Sequence, residues 1–70
     1  MNRKPIISSN IKSIGYGEDS EILEIEFKDG GVYQYFNVPR NIYQNLISAS
    51  SVGSFFYKYV KNNYNWKKIQ

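Results

Sequence analysis

The chain has no cysteine and no histidine. Without them no disulfide or Cys/His zinc site can staple the fold, and the commonest nucleophile and general base of enzymes are missing. No cofactor is expected. Nowhere does an apolar run approach the roughly 18 residues of a membrane helix. The first residues carry Arg3 and Lys4 but are followed by no apolar h-region, so no signal peptide is expected and the cytoplasm is the default location. Carboxylates are absent from most of the chain: all six lie between Glu18 and Asp29. From Gly30 onward the charged residues are Arg40, Lys58, Lys61, Lys67 and Lys68, with no acid to offset them. The molecule is therefore expected to be electrically two-sided, its basic side suited to an anionic partner.

What is present fits one small globular unit spanning residues 1–70, with residues 1–8 as an N-terminal arm and 64–70 as a C-terminal tail. Apolar residues make up 41% and charged residues 21%, too balanced for a disordered segment. Seven tyrosines, four phenylalanines and one tryptophan supply the bulk that a short chain needs to fill a core with few side chains.

Hydrophobic periodicity predicts β-β-β-α-α. Asn10 to Tyr16, with Ile11, Ile14 and Tyr16, reads as a first strand. Glu21 to Lys28 alternates, with Leu23, Ile25 and Phe27 on one face and Glu24, Glu26 and Lys28 on the other. The Asp29-Gly30-Gly31 turn leads to a third strand, Val32 to Val38. A two-residue loop would place Val32, Gln34 and Phe36 with Leu23 and Ile25; a three-residue loop with Gly30 left-handed would place Tyr33 and Tyr35 there instead. The second is favoured, since Gly after Asp fits a type I turn with a G1 bulge and the first would bury Gln34. Pro39 opens a helix whose stripe is Ile42, Tyr43, Leu46, Ile47 and Ala49. Ser50 or Ser51 caps a second helix, with Val52, Phe55, Phe56, Tyr59 and Val60 inward. Strands followed by helices give an α+β domain, here a three-stranded antiparallel meander with two helices on one face. The face bearing Glu24 and Glu26 is expected to be open to solvent.

The run from Ser8-Ser9-Asn10-Ile11 through Phe27-Lys28-Asp29-Gly30-Gly31-Val32-Tyr33-Gln34-Tyr35 to Val38-Pro39 resembles the KTSC domain, a family named after the C-terminal segment of some lysyl-tRNA synthetases. Ala49-Ser50-Ser51-Val52-Gly53-Ser54-Phe55-Phe56 and the basic helix ending near Tyr64 extend the likeness over nearly the whole chain. Tyr33 and Tyr35 match the family's central Tyr-x-Tyr motif. The resemblance implies a short stand-alone bacterial or phage protein and, from the synthetase attachment, suggests RNA binding; it does not imply the synthetase role for this chain and supplies no catalytic residue.

Among the residues themselves, Glu24 and Glu26 could act as paired acids, and Glu18, Asp19 and Glu21 could surround a cation. Alternating acids on a wet strand face and loop acids without calcium-loop spacing explain both sets more simply. The glycines form no phosphate loop. The nucleic-acid reading has more support: Lys58, Lys61, Trp66, Lys67 and Lys68 combine charge with a stacking surface, and Arg40 would extend it. Lys58 and Lys61 would equally serve as the wet side of a helix, and Trp66 as a lid pinning the tail to the core. Tyr33 and Tyr35 read as core residues whose hydroxyls reach the edge for hydrogen bonds. The alternative is a protein-interaction module docking through an exposed apolar patch or sheet edge.

Overall fold

The computed structural model describes residues Met1–Gln70. Strands β1 (Arg3–Pro5), β2 (Ile11–Gly17), β3 (Ile22–Phe27) and β4 (Val32–Tyr35) are followed by helices α1 (Arg40–Ser48) and α2 (Val52–Tyr59) and by strand β5 (Trp66–Lys68). The expected α+β class holds. The expected meander, however, forms the middle of a five-stranded sheet of order β1-β2-β3-β4-β5, antiparallel throughout. The arm and the tail are its two edge strands, each too short for an alternating pattern to register in the sequence.

The β3–β4 turn sets the register of the whole site. Gly30 N–H donates to the Phe27 carbonyl at 3.0 Å, Phe27 N–H to the Gly31 carbonyl at 2.8 Å, and Gly30 takes φ +99°. This is the type I turn with a left-handed glycine. It sets Tyr35 opposite Leu23 and Tyr33 opposite Ile25, so both tyrosines share the helix-covered face, as the three-residue loop requires. In β2 a bulge between Ile11 and Ser13 lets Ile11 and Ile14, three apart, both face the core.

The helices form where the sequence places their signals. Pro39 sits extended at the N-cap of α1. The Ser51 hydroxyl accepts the Ser54 N–H at the start of α2, satisfying one of the donors that the first helical turn leaves free. Ile11, Ile14, Leu23, Ile25, Tyr35, Val38, Leu46, Val52, Phe56 and Val60 make one core between sheet and helices. The expected inward stripes are only partly buried, with Ile47 and Tyr59 exposed at the surface.

The opposite sheet face is not the open acidic surface anticipated. Glu24 is only 5% exposed. Arg3 lies opposite Gly15, which in turn lies opposite Glu24, and Glu24 lies opposite Gln34. Because Gly15 has no side chain, Arg3 crosses over it and its guanidinium reaches the Glu24 carboxylate. Gln34 donates to the other oxygen of Glu24 at 2.8 Å. Ser13 accepts from Arg3 at 3.1 Å and donates to Glu26 at 2.8 Å. Burial pushes the Glu24 carboxylate up, but hydrogen bonds from Gln34 and Arg3, together with the charge of Arg3, outweigh it and hold the group below its ordinary range.

Candidate functional site

The site is built on the helix-covered face, where β5 extends the sheet beyond the helices. Trp66 pairs with Tyr35 and Lys68 with Tyr33, which puts both side chains on the tyrosine face. Lys67, between them, pairs with Gln34 and points to the other face, as strand geometry demands. A tail without strand structure would have left all three free to gather; as a strand they divide.

Trp66 is 55% exposed and meets Tyr33 edge-on with ring centroids 5.5 Å apart. It is therefore a half-open wall rather than a lid over the core. From Tyr33 a chain of edge-on contacts runs inward, Tyr33 to Phe27 at 5.5 Å, Phe27 to Phe56 at 5.5 Å and Phe56 to Tyr35 at 5.4 Å. Such contacts place the positive edge of one ring on the negative face of the next and fix each orientation. Together with Asn10, Asp29, Tyr57, Lys61, Asn62 and Trp66, these rings line a cleft of about 480 Å³, within the range of small-ligand sites.

One cation, Lys61, lines the cleft, and a second, Lys68, stands over one of its rings. Lys61 Nζ stands 4.7 Å from the centroid of Tyr57, and Lys68 Nζ stands 6.0 Å from that of Tyr33. Both contacts are within reach of a cation–π attraction and leave the ammonium groups free to donate outward. Lys58 is exposed in the last turn of α2, where a positive charge also suits the helix dipole. None of Lys58, Lys61, Lys67 and Lys68 takes part in an ion pair. Arg40 does: its Nε lies 2.9 Å from Glu18 Oε1, which sets it apart from the unpaired lysines. The structure thus gathers Lys61, Trp66 and Lys68 and sends Lys67 to the other face.

Tyr35 is buried as the sequence predicts, but its hydroxyl does not make the expected hydrogen bond. The residue is only 4% exposed, and burial, with a smaller contribution from Tyr33, pushes its phenol up to about 12, so the hydroxyl keeps its proton. Tyr16, by contrast, spends its hydroxyl on the Val38 carbonyl at 2.6 Å. The Tyr35 hydroxyl has no such partner, yet no fully enclosed polar atom is left unpaired. Its oxygen is therefore not fully enclosed, and Tyr35 is among the residues that line the cleft. An expected edge hydrogen bond is replaced by a free donor at the floor of an aromatic hollow.

Comparison with known proteins follows this geometry closely. The model of the KTSC domain matches residues 7–64. The crystal structure of a KTSC domain protein from Yersinia pestis superposes with a TM-score of 0.96 at 45% identity, covering 99% of this chain and 97% of that one. An uncharacterised protein of Stutzerimonas stutzeri is 37% identical over 70 residues, 99% of each chain. A lysine–tRNA ligase of Nostoc punctiforme is 36% identical over 61 residues, which are 87% of this chain but 11% of that enzyme. Matched along most of its length by the family model and along nearly all of it by a solved member, the chain belongs to the KTSC domain family.

Proposed function

We propose that this domain is a non-enzymatic RNA-binding module whose cleft between α2 and the β4–β5 edge receives an unstacked base of a single strand. The observation that carries the reading is Trp66, half exposed beside Tyr33 in a cleft lined by unpaired Lys61, with unpaired Lys68 over the Tyr33 ring. Aromatic faces stack bases whatever their sequence, at about 1–3 kcal/mol per base, and lysines neutralise the flanking phosphates. Lys58, outside the cleft on α2, would lengthen the phosphate track, and the unpaired hydroxyl of Tyr35 would meet a polar edge of the inserted base. The likeness to a segment of lysine–tRNA ligases supports this reading, and a cytoplasmic location is part of the proposal.

The test is a titration of short single-stranded and structured RNAs followed by Trp66 fluorescence at two salt concentrations. Affinity should fall as salt rises, and Lys61→Ala with Lys68→Ala should flatten that dependence. Absence of any salt-dependent binding tighter than roughly 10⁻⁴ M, the weak end of non-specific association, would refute the reading. Exposed Ile47 on α1 and Tyr59 on α2 favour a second one, docking on a protein. A pull-down from nuclease-treated lysate separates them, because a protein partner survives the nuclease and RNA-mediated capture does not.

A further inference from the structure

One side chain does not suit a plain phosphate groove. Asp29 is the single carboxylate lining the aromatic cleft, which Lys61 also lines. It forms no ion pair with any cation. Its position is fixed by the β3–β4 turn, in which Oδ1 accepts the Gly31 N–H at 2.9 Å. The second oxygen, Oδ2, is without a partner. A carboxylate can only accept hydrogen bonds, so it repels phosphate and rewards a ligand that brings N–H donors.

Among the bases only guanine carries two adjacent donors on its Watson–Crick edge, N1–H and the N2 amino group, spaced to meet both oxygens of one carboxylate. Adenine and cytosine each set an amino donor beside an unprotonated ring nitrogen, and uracil sets its one N–H between two carbonyls. Each of those arrangements brings a lone pair against a carboxylate that approaches edge-on. A cleft that joins rings for stacking, lysines for phosphate and one rigidly placed carboxylate therefore discriminates among bases.

We propose that the cleft selects guanine: the base stacks among Tyr33, Tyr57 and Trp66, its Watson–Crick edge meets Asp29, and its flanking phosphates lie toward Lys61 and Lys68. The proposal rests on the RNA reading above and adds the identity of the base. Bidentate recognition of this kind discriminates by about tenfold or more against the wrong base. The same edge is present on a free guanine nucleotide, which lacks the neighbouring phosphodiesters of a strand.

The probes are short uridine oligoribonucleotides carrying one central guanine, adenine or cytosine, together with guanosine monophosphate alone, each titrated against Trp66 fluorescence. The guanine oligonucleotide is expected to bind about tenfold more tightly than the other two, and the free nucleotide more weakly than the strand. Asp29→Asn keeps the turn, since the amide oxygen still accepts from Gly31, and circular dichroism checks the fold. That variant should lose the preference for guanine while holding the guanine-free oligonucleotides as tightly as before or more tightly, because a negative charge has left the cleft. Salt-dependent binding that ignores base identity would overturn the guanine assignment and leave the RNA reading in place. A guanine preference that persists in Asp29→Asn would overturn the role of Asp29. Guanosine monophosphate binding as tightly as the strand would make a free nucleotide the ligand and overturn the strand reading. No binding of any probe would overturn both proposals.

Discussion

Replacing Arg3 by Met should destabilise the domain by about 2 kcal/mol, and the loss should vanish in acid. Methionine keeps most of the aliphatic stem that packs over Gly15 and removes the guanidinium alone. The Glu24 side chain is 7% exposed and that of Arg3 is 27% exposed. Breaking a fully buried pair costs about 3–5 kcal/mol, whereas an exposed pair contributes about 0–1 kcal/mol. Glu24 belongs near the first limit and Arg3 between the two, and Gln34 still donates to Glu24 at 2.8 Å after the change. A cost of about 2 kcal/mol follows, near 8–16 °C in Tm for a domain of this size. The pH dependence separates charge from packing. A carboxylate held below its unfolded pKa stabilises the fold wherever it is ionised in both states, and that contribution is lost as pH falls from the ordinary value of 4.5 through the folded one. The gap between wild type and variant should therefore be complete at neutral pH and close once Glu24 is protonated. Urea unfolding monitored by circular dichroism across that range measures it. A variant as stable as wild type at neutral pH, or a gap unchanged in acid, would show that the pair does not hold the arm.

Gly15→Ala would place a Cβ 2.8 Å from the Asn2 carbonyl oxygen, a backbone atom that cannot rotate away. It should cost about 1–3 kcal/mol and, combined with Arg3→Met, less than the sum, because both changes release the same strand; urea midpoints give the comparison. Tyr16→Phe removes the hydrogen bond to Val38 at 2.6 Å but keeps the stack on Tyr43 at 4.5 Å, so a loss of about 1 kcal/mol is expected in thermal unfolding. Exposed Glu21 has φ +55°, and Glu21→Asn, better suited to that backbone, should raise stability by about 0.5–1 kcal/mol. Tyr35→Phe should leave stability within about 0.5 kcal/mol, since the hydroxyl has no partner to lose, yet weaken RNA in the fluorescence titration.

The middle of the fold was legible because its signals are local. Alternation over Leu23, Ile25 and Phe27, the Asp29-Gly30 turn, Pro39 at one helix start and Ser51 at the other each act within a few residues. Placement of Tyr33 and Tyr35 followed from turn chemistry plus the cost of burying Gln34. What was not legible depends on partners far apart in sequence. Arg3 and Glu24 are 21 residues apart, and the alternation that put Glu24 outward was correct about its face while saying nothing of the arm that covers it. Glu18 meeting Arg40 is the same kind of event. Strands β1 and β5 are three residues each, shorter than any period-two signal, and they form because the neighbouring strand offers unpaired backbone groups. The division of Lys67 from Trp66 and Lys68 depends wholly on that pairing.

The two edge strands have different consequences because the two faces of the sheet do. On one face polar and charged groups from four strands line up across the sheet, Arg3, Glu24, Gln34 and then Lys67, and the interior of that row is spent on itself. On the other, aromatic rings line up from Trp66 through Tyr33 to Phe27 and Phe56, satisfying one another's edges and ending in the half-exposed Trp66. Ion pairs that close on themselves lend stability and offer little to a ligand; exposed rings beside unpaired lysines contribute less to the fold and offer much. The alternation of a single three-residue strand, Trp66–Lys68, feeds both rows at once. Its backbone pairing with β4 therefore links the two rows, and substitutions on one face should reach the other only by disturbing that pairing.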